Sequence, residues 1–327
     1  MSDLAGLAES VAVDPLVGHP ADYHVFHKFL ARCKDLPAIT TAVVWPLSDV
    51  ALRGAVEAAE ENLILPTLIG DEAAMKALAA KIGVDISPYP ILQADTERKA
   101  AELGVCMCRS GGGAQAMMKG SLHTDELMKV AMKSETGLRT GRRISHVFVM
   151  DTPAYPRTLL ITDAAINIEP ELEDKIHIVQ NAIDLAHALG IPEPKVALLS
   201  AIETVNTKIK STLDAAALCK MADRGQITGG ILDGPLAFDT AVSVKAAKIK
   251  GLVSPVTGQA DILAVPDLES GNMLAKQLEY LGGAQLAGIV LGARVPVILT
   301  SRADSAETRL TSCAVAVLLH YAQHPIK

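Results

Sequence analysis

What most constrains this chain is an alternation of two textures along its length. Short apolar runs rich in β-branched residues occupy positions 41–45, 63–69, 144–149, 159–162, 195–199, 229–232, 262–265 and 295–299. Between them lie Ala-rich stretches at 52–61, 72–82, 96–106, 172–189, 211–222, 274–281 and 307–319. In these the apolar positions fall three and four apart, with charges on the other side. A strand that is apolar on both faces needs cover on both, and the amphipathic stretches supply it. Strand then helix, repeated, predicts an α/β fold whose parallel-rich sheets are covered by helices. Such a core is built from Ala, Leu, Ile and Val, which fits a chain that is 50% hydrophobic but only 3% aromatic. So few aromatics make poor base-stacking platforms, and a formal net charge of -7 lacks the basic footprint of a nucleic-acid binder.

No apolar run approaches the roughly 20 residues that a membrane-spanning helix needs. The longest, 286–300, is interrupted by Gly292, Arg294 and Pro296. The start, with Asp3 and Glu9 and neither a basic nor a continuous apolar stretch, is unlike a secretory signal. Five cysteines (Cys33, Cys106, Cys108, Cys219 and Cys313) are odd in number and sparse, and read as reduced thiols of a cytoplasmic protein. Pro153 and Pro156 make 151–157 the candidate boundary between two domains. From Gly288 a closing strand and helix begin, which either half could own.

In parallel sheets ligands sit beyond the carboxyl ends of strands, where the next helix presents its unpaired N–H groups. Four junctions carry suitable residues. The strongest is Val295-Pro-Val-Ile-Leu-Thr-Ser301-Arg302-Ala-Asp304-Ser-Ala-Glu307-Thr308, where Ser301 offers a hydroxyl and Arg302 a guanidinium fork suited to phosphate. The plain alternative is a helix cap followed by a surface arginine. Asp304 and Glu307 are spaced as a capping box, so capping comes first for them and proton transfer second. The second junction, Asp233-Gly-Pro-Leu-Ala-Phe-Asp239, sets two carboxylates around a tight turn, or else is a turn and a cap. The third, 266–272, brings Ser270, Gly271 and Asn272 to a helix start, as ligand donors or as caps. The fourth presents Gly120, Ser121 and His123 before a helix through Met132, followed by Arg139, Thr140, Gly141, Arg142 and Arg143, the densest basic cluster.

Other motifs fail. There is no G-x-G-x-x-G, no phosphate-binding P-loop, no H-E-x-x-H and no G-x-S-x-G. Cys106 and Cys108 form a lone C-x-C, weak as a metal motif, and the pairs His24/His27 and His320/His324 read as surface histidines.

Together, several segments resemble the phosphate acetyl/butyryltransferase family. They are Leu65-Pro-Thr-Leu-Ile-Gly70, Met118-Lys-Gly-Ser121, Gly137-Leu-Arg-Thr-Gly141, Leu160-Ile-Thr-Asp-Ala-Ala165, Asp233 to Asp239, Val265-Pro-Asp-Leu-Glu-Ser-Gly-Asn272 and Val297-Ile-Leu-Thr-Ser301-Arg302. They occur in order and span nearly the whole chain. The resemblance implies reversible transfer of a short acyl group between coenzyme A and inorganic phosphate in a ternary complex. Acyl-CoA, phosphate and acyl phosphate would be its partners, with no metal, no bound cofactor and CoA as a substrate. It further implies a homodimer of two-domain subunits with the active site in the interdomain cleft. The last strand and helix return to the first domain, which gives 1–148 with 288–327 and 149–287. By resemblance Arg302 holds phosphate and Ser301 stabilises the transition state. Asp304 is the further catalytic candidate, and Gly120, Ser121, His123, Arg139, Thr140, Asp233, Ser270 and Asn272 complete the candidate substrate-binding set. Thr308 stands where acetyltransferases of the family carry an aspartate, and 301–308 looks more like the butyryltransferase branch. The base is then Asp304, Glu307 or Asp233, or the thiol ionises unaided. Two rival readings are a decarboxylating NAD(P) dehydrogenase of isopropylmalate type, with Asp233, Asp239 and Asp267 on a metal, and a non-catalytic acyl-CoA or acyl-phosphate sensor.

Overall fold

The computed structural model describes residues 25–109, 113–299 and 306–326. Helix α1 (Val25–Cys33) leads into β1 (Ile39–Val44), α2 (Asp49–Glu60), β2 (Ile64–Gly70), α3 (Glu72–Ile82), β3 (Ile91–Gln93), α4 (Glu97–Arg109), β4 (Ala116–Lys119) and α5 (Thr124–Ala131). The helix starts are written locally: Ser48 caps α2 through the Ala51 N–H, and Asp71 caps α3 through the Ala74 N–H. Next come β5 (Ser145–Thr152) and β6 (Tyr155–Thr162), then α6 (Leu172–Ala188), β7 (Lys195–Leu199), α7 (Lys210–Asp223) and β8 (Ile231–Leu236). The chain closes with α8 (Phe238–Val242), α9 (Val244–Ile249), β9 (Ile262–Ala264), α10 (Leu268–Tyr280), β10 (Gln285–Leu291), β11 (Val297–Ile298) and α11 (Ala306–Gln323).

The described strands form one eleven-stranded sheet in the order β3-β2-β1-β4-β11-β10-β5-β6-β9-β7-β8. Its two flanks are parallel, as the alternation predicts. Its middle is antiparallel, where β10 pairs with both β5 and β11, and β5 pairs with β6. The flanks are therefore joined through the middle into a single sheet. The 151–157 segment is the turn of the β5–β6 hairpin, and Pro156 lies inside β6. Likewise Asp233-Gly-Pro continues β8 rather than forming a tight turn after it. In the described sheet β8 is an edge strand bonded only to β7, so Pro235 removes no second ladder.

Side chains alternate between faces along each strand, and the two faces are covered differently. On one, Val43, Met118, Ile298, Ile289, Val147, Leu160, Ile262 and Val196 belong to one continuous apolar layer beneath α1, α2, α6, α7 and α11. The other face carries two separate layers. Val44, Met117, Val297 and Val290 lie with α4 and α5; Phe148, Met150, Ile161 and Leu263 lie with Ala241 of α8 and Ala275 of α10. A seam separates the two layers over β10 and β5, where His146 and Gly288 sit.

Candidate active site at the seam of the sheet

Strand register draws a line across the split face. Val44 is level with Lys119, Met118 with Ile298, Ile298 with Ile289, and Gly288 with Phe148. Lys119, Leu299, Gly288 and Phe148 therefore follow one another across the middle of the sheet, one strand spacing of about 5 Å at a time.

On one side of the seam, β1 and β4 end together. Trp45 leaves β1 with a left-handed φ of 56°. The Gly120 N–H donates to the Val44 carbonyl at 2.8 Å, and the Ser121 N–H and hydroxyl both donate to the Trp45 carbonyl at 2.9 Å. The Leu47 N–H closes the brace on Ser121 Oγ at 3.2 Å. A Cβ on Gly120 would stand 2.4–2.5 Å from the Val44 and Trp45 carbonyl groups, so only glycine fits. Lys119 is 3% exposed, and its ammonium donates to the Gly120 and Leu122 carbonyls at 3.2 Å. That places a buried positive charge at a strand end facing the seam. His123 is exposed at the N-cap of α5 and makes no side-chain cap bond.

On the other side the exit of β6 is tightly organised. The buried Asp163 carboxylate accepts the Ala165, Ile166 and Asn167 N–H groups at 2.9, 3.0 and 3.3 Å, and Asn167 Nδ2 at 2.6 Å. Burial pushes the Asp163 carboxyl up, while the donated bonds pull it back. Asn167 Nδ2 also donates to the Ile144 carbonyl at 2.9 Å, and its Oδ1 accepts Arg143 Nε at 2.7 Å. Asn272 Nδ2 donates to the Ala164 carbonyl at 3.2 Å, and a Cβ on Gly271 would stand 3.0 Å from the Asp163 carbonyl oxygen. Ser270 is tied to its own cap, donating through N and Oγ to Asp267 Oδ1 at 2.8 Å. The third junction is thus a capped helix docked on the exit of β6.

The basic cluster is largely neutralised. Arg142 pairs with Asp184, and Arg143 with Asp174 at 3.0 Å. Arg139 is exposed and bridges Ala293 by its backbone, while Thr140 Oγ1 donates to the Gly292 carbonyl at 2.7 Å. Thr140 and Arg142 line a cavity of about 240 Å³ with Asn181, Gly292, Val295 and Gln323. Asp233 is not brought to the seam. It sits on β8, seven strand positions from β4, roughly 30 Å along the sheet. Asp239 pairs with Lys250 at 3.1 Å, and Asp267 caps α10. Among the described residues no three His, Cys, Asp or Glu side chains gather as metal ligands.

Ser301, Arg302 and Asp304 lie outside the described residues. Before them the Leu299 N–H donates to the Gly288 carbonyl at 3.2 Å, and the Gly288 N–H donates to Ser312 Oγ, in the second turn of α11, at 3.1 Å. Glu307 Oε2 accepts Gln285 Nε2 at 3.2 Å, and Thr308 is buried. His320, read from sequence as a surface residue, is instead buried and bonded to Gln115 at 3.0 Å, because residues 311–320 of α11 are buried against the sheet and helices α1 and α2. His27 is exposed as expected, and His24 lies outside the described residues. Sequence reasoning did not single out Lys119 and Asp163, the buried charged residues at the two strand exits beside the seam. Both had a signal, a charged residue ending an apolar run at a strand exit.

Comparison with known proteins gives these features a context. Residues 91–317 match the family described as phosphate acetyl/butaryl transferase. A phosphate acetyltransferase of Rhizobium meliloti is 56% identical over 299 residues, covering 91% of this chain and 94% of its own. A phosphate butyryltransferase of Clostridium beijerinckii is 42% identical over 294 residues, covering 90% and 97%. Among solved structures, a branched-chain phosphotransacylase from Enterococcus faecalis V583 superposes with a TM-score of 0.75 at 33% identity, over 86% of this chain and 99% of that one.

Proposed function

Because the chain belongs to the phosphate acetyl/butaryl transferase family and is a phosphate acyltransferase, we propose that acetyl-CoA is its preferred acyl donor. The observation that carries this is the 56% identity to a relative named phosphate acetyltransferase, against 42% to one named phosphate butyryltransferase. The relatives favour neither the dehydrogenase reading nor the sensor reading.

In the reaction a phosphate oxygen attacks the thioester carbonyl carbon, the C–S bond breaks, and the sulfur leaves as thiolate and takes up a proton. The products are acyl phosphate and CoA. Arg302 is assigned to the phosphate through its guanidinium fork, and Ser301 to the oxyanion that develops on the carbonyl. Lys119, buried at the end of β4, adds positive charge on the same face of the sheet. Gly120 and Ser121 shape that wall, His123 and Arg139 are exposed groups for the anionic ends of CoA, and Asn272 with Ser270 shapes the opposite wall. Thr140 orders the loop that carries Arg139. Asp304 is the carboxylate assigned to proton exchange with the CoA sulfur, since Glu307 is engaged by Gln285 and Asp233 lies on the far edge. This chemistry is assigned without a bound metal or cofactor.

The same reading takes 1–148 with 288–327 as one domain and 149–287 as the other, supported by the two separate apolar layers on one face. It also takes the protein as a cytoplasmic homodimer. Among the described residues no helix is long and apolar enough to cross a membrane. The test is CoA release from acetyl-, propionyl- and butyryl-CoA, with and without phosphate, in the presence of a chelator. Phosphate-dependent release that is fastest with acetyl-CoA is expected; faster release from butyryl-CoA overturns the assigned chain length.

A further inference from the structure

From the sequence, Arg143 belongs to a basic cluster suited to anions, yet in the fold its guanidinium is turned to protein acceptors. Nε donates to Asn167 Oδ1 at 2.7 Å, and Nη1 reaches Asp174 Oδ1 at 3.0 Å. Asn167 lies within the connection between β6 and α6, and Asp174 closes that connection in the first turn of α6, where its Oδ2 accepts the Glu171 N–H at 3.3 Å. The Asn167 amide has one possible orientation. Its Nδ2 donates to the Ile144 carbonyl at 2.9 Å and the Asp163 carboxylate at 2.6 Å, so Oδ1 is the atom left for Arg143. The backbone of Arg143 is held as closely: its carbonyl accepts Asn181 Nδ2 at 2.9 Å, and a Cβ on Gly292 would overlap that carbonyl.

The connection that Arg143 spans leaves the carboxyl end of a strand that runs parallel to β9, the place where such sheets meet their ligands. Toward the first domain, Ile166 packs against the apolar layer that includes Val44, Met117 and Val297. Toward α10, the Ala164 and Ile168 carbonyls accept Asn272 Nδ2 and the Leu268 N–H at 3.2 and 3.0 Å. Residues 163–171 therefore lie between the first-domain layer and the start of α10, and their position sets the second-domain wall of the seam. Two acceptors on different residues, met by Nε and Nη1 of one planar group, call for a guanidinium. A lysine ammonium is a single point and satisfies one of them.

We infer that Arg143 is a positioning residue for acyl transfer: by spanning Asn167 and Asp174 it holds the β6–α6 connection, and with it the second-domain wall against which acyl-CoA is aligned. This rests on the phosphate acyltransferase reading. Arg143 acts through Asn167 and binds no substrate itself, because its donors on this side are already engaged by the protein.

The experiment compares wild type with Arg143→Met and Arg143→Lys in phosphate-dependent CoA release, under conditions where urea unfolding shows all three fully folded. The side chain is 44% exposed, so its replacement leaves the core intact. Arg143→Met keeps the aliphatic stem and loses both donors, so kcat is expected to fall roughly 10- to 100-fold, the scale of a small misplacement of reacting groups. KM for phosphate stays near the wild-type value. Arg143→Lys restores the charge but not the span, and stays much closer to the Met variant than to wild type. Wild-type kcat in Arg143→Met overturns the inference, and so does full recovery in Arg143→Lys, which would make charge alone sufficient. A raised phosphate KM at unchanged kcat also overturns it, by making Arg143 an anion ligand. A second arm needs no activity. The Ala165, Ile166 and Asn167 N–H groups are held by the Asp163 carboxylate, and in Arg143→Met their hydrogen exchange should quicken roughly 10-fold or more while β6 and β9 keep their protection. Unchanged exchange at these three amides overturns the inference as well. Failure of the wild type to release CoA would refute the reading of function, while the exchange rates still decide whether Arg143 holds the connection.

Discussion

Burying an imidazole in a sheet has a consequence for acid stability whose size follows from the structure. The unfolded chain binds a proton at His146 near the ordinary value of 6.5, whereas the folded chain resists it until about pH 3. Between these values the unfolded state holds more protons, so stability is lost as pH falls. Lowering the pH from 7.5 to 5 crosses about 1.5 units of that window and should cost about 2 kcal/mol. That is a sizeable part of the ~5–15 kcal/mol by which domains are usually stable. The Asp163 carboxyl is pushed up by burial and works in the opposite sense, since a raised folded value lends stability on the acid side. It is present in both wild type and His146→Phe and cancels between them. Urea unfolding of the two proteins at pH 7.5, 6 and 5 should therefore show the wild type losing about 2 kcal/mol more than the variant, with unchanged m-values. Equal losses in the two proteins would show that the imidazole takes up its proton inside the fold, and the reasoning from its burial would fail.

Other outcomes follow from the same geometry. Gly120→Ala forces a Cβ to 2.4–2.5 Å from backbone carbonyl groups, so the urea midpoint should drop by the equivalent of about 3 kcal/mol or more; an unchanged midpoint contradicts the brace between β1 and β4. Ser301→Ala should fold normally and lose roughly 10²- to 10³-fold in kcat. Arg302→Ala should chiefly raise the phosphate KM, and Arg302→Lys should restore it only in part because the fork is lost. Unchanged phosphate KM in Arg302→Ala would move the anion site elsewhere. Asp304→Asn removes the carboxylate assigned to proton exchange and should lower kcat; a variant that loses stability but keeps its kcat would leave Asp304 a helix cap and refute that assignment. Cys33, Cys108, Cys219 and Cys313 are each pushed up to about 12 by burial, and Cys106 is exposed. A thiol reagent at pH 8 should therefore react quickly with one cysteine in the native protein and with five after denaturation.

The α/β class was legible because long apolar runs and 3.6-residue periodicity survive any local detail. Residues 195–199 and 72–82 match β7 and α3 end to end. What escaped were elements whose identity is decided by neighbours. Strand β3 has three residues and β4 ends on a buried lysine, so neither shows an apolar run with clear ends, while β10 merges with β11 in the single apolar run 286–300. Pro156 read as a break, but at the start of β6 it precedes the stretch bonded to β9, which begins at Leu160. In the candidate site, Gly120 was legible as a tight approach, and Ser270 and Asn272 as a helix start.

The place of β11 in the sheet has a consequence for how the molecule is made. Residues 297–298 insert between β4, at 117–118, and β10. While a ribosome is still extending the chain, the four strands β3-β2-β1-β4 can assemble, but β4 must wait about 180 residues for its second neighbour. Until then it presents an unpaired row of N–H and C=O groups, the kind of edge that templates association with other nascent chains. A chain interrupted before β11 would keep that edge permanently, so premature termination late in the message should yield insoluble protein even though most of the residues are present.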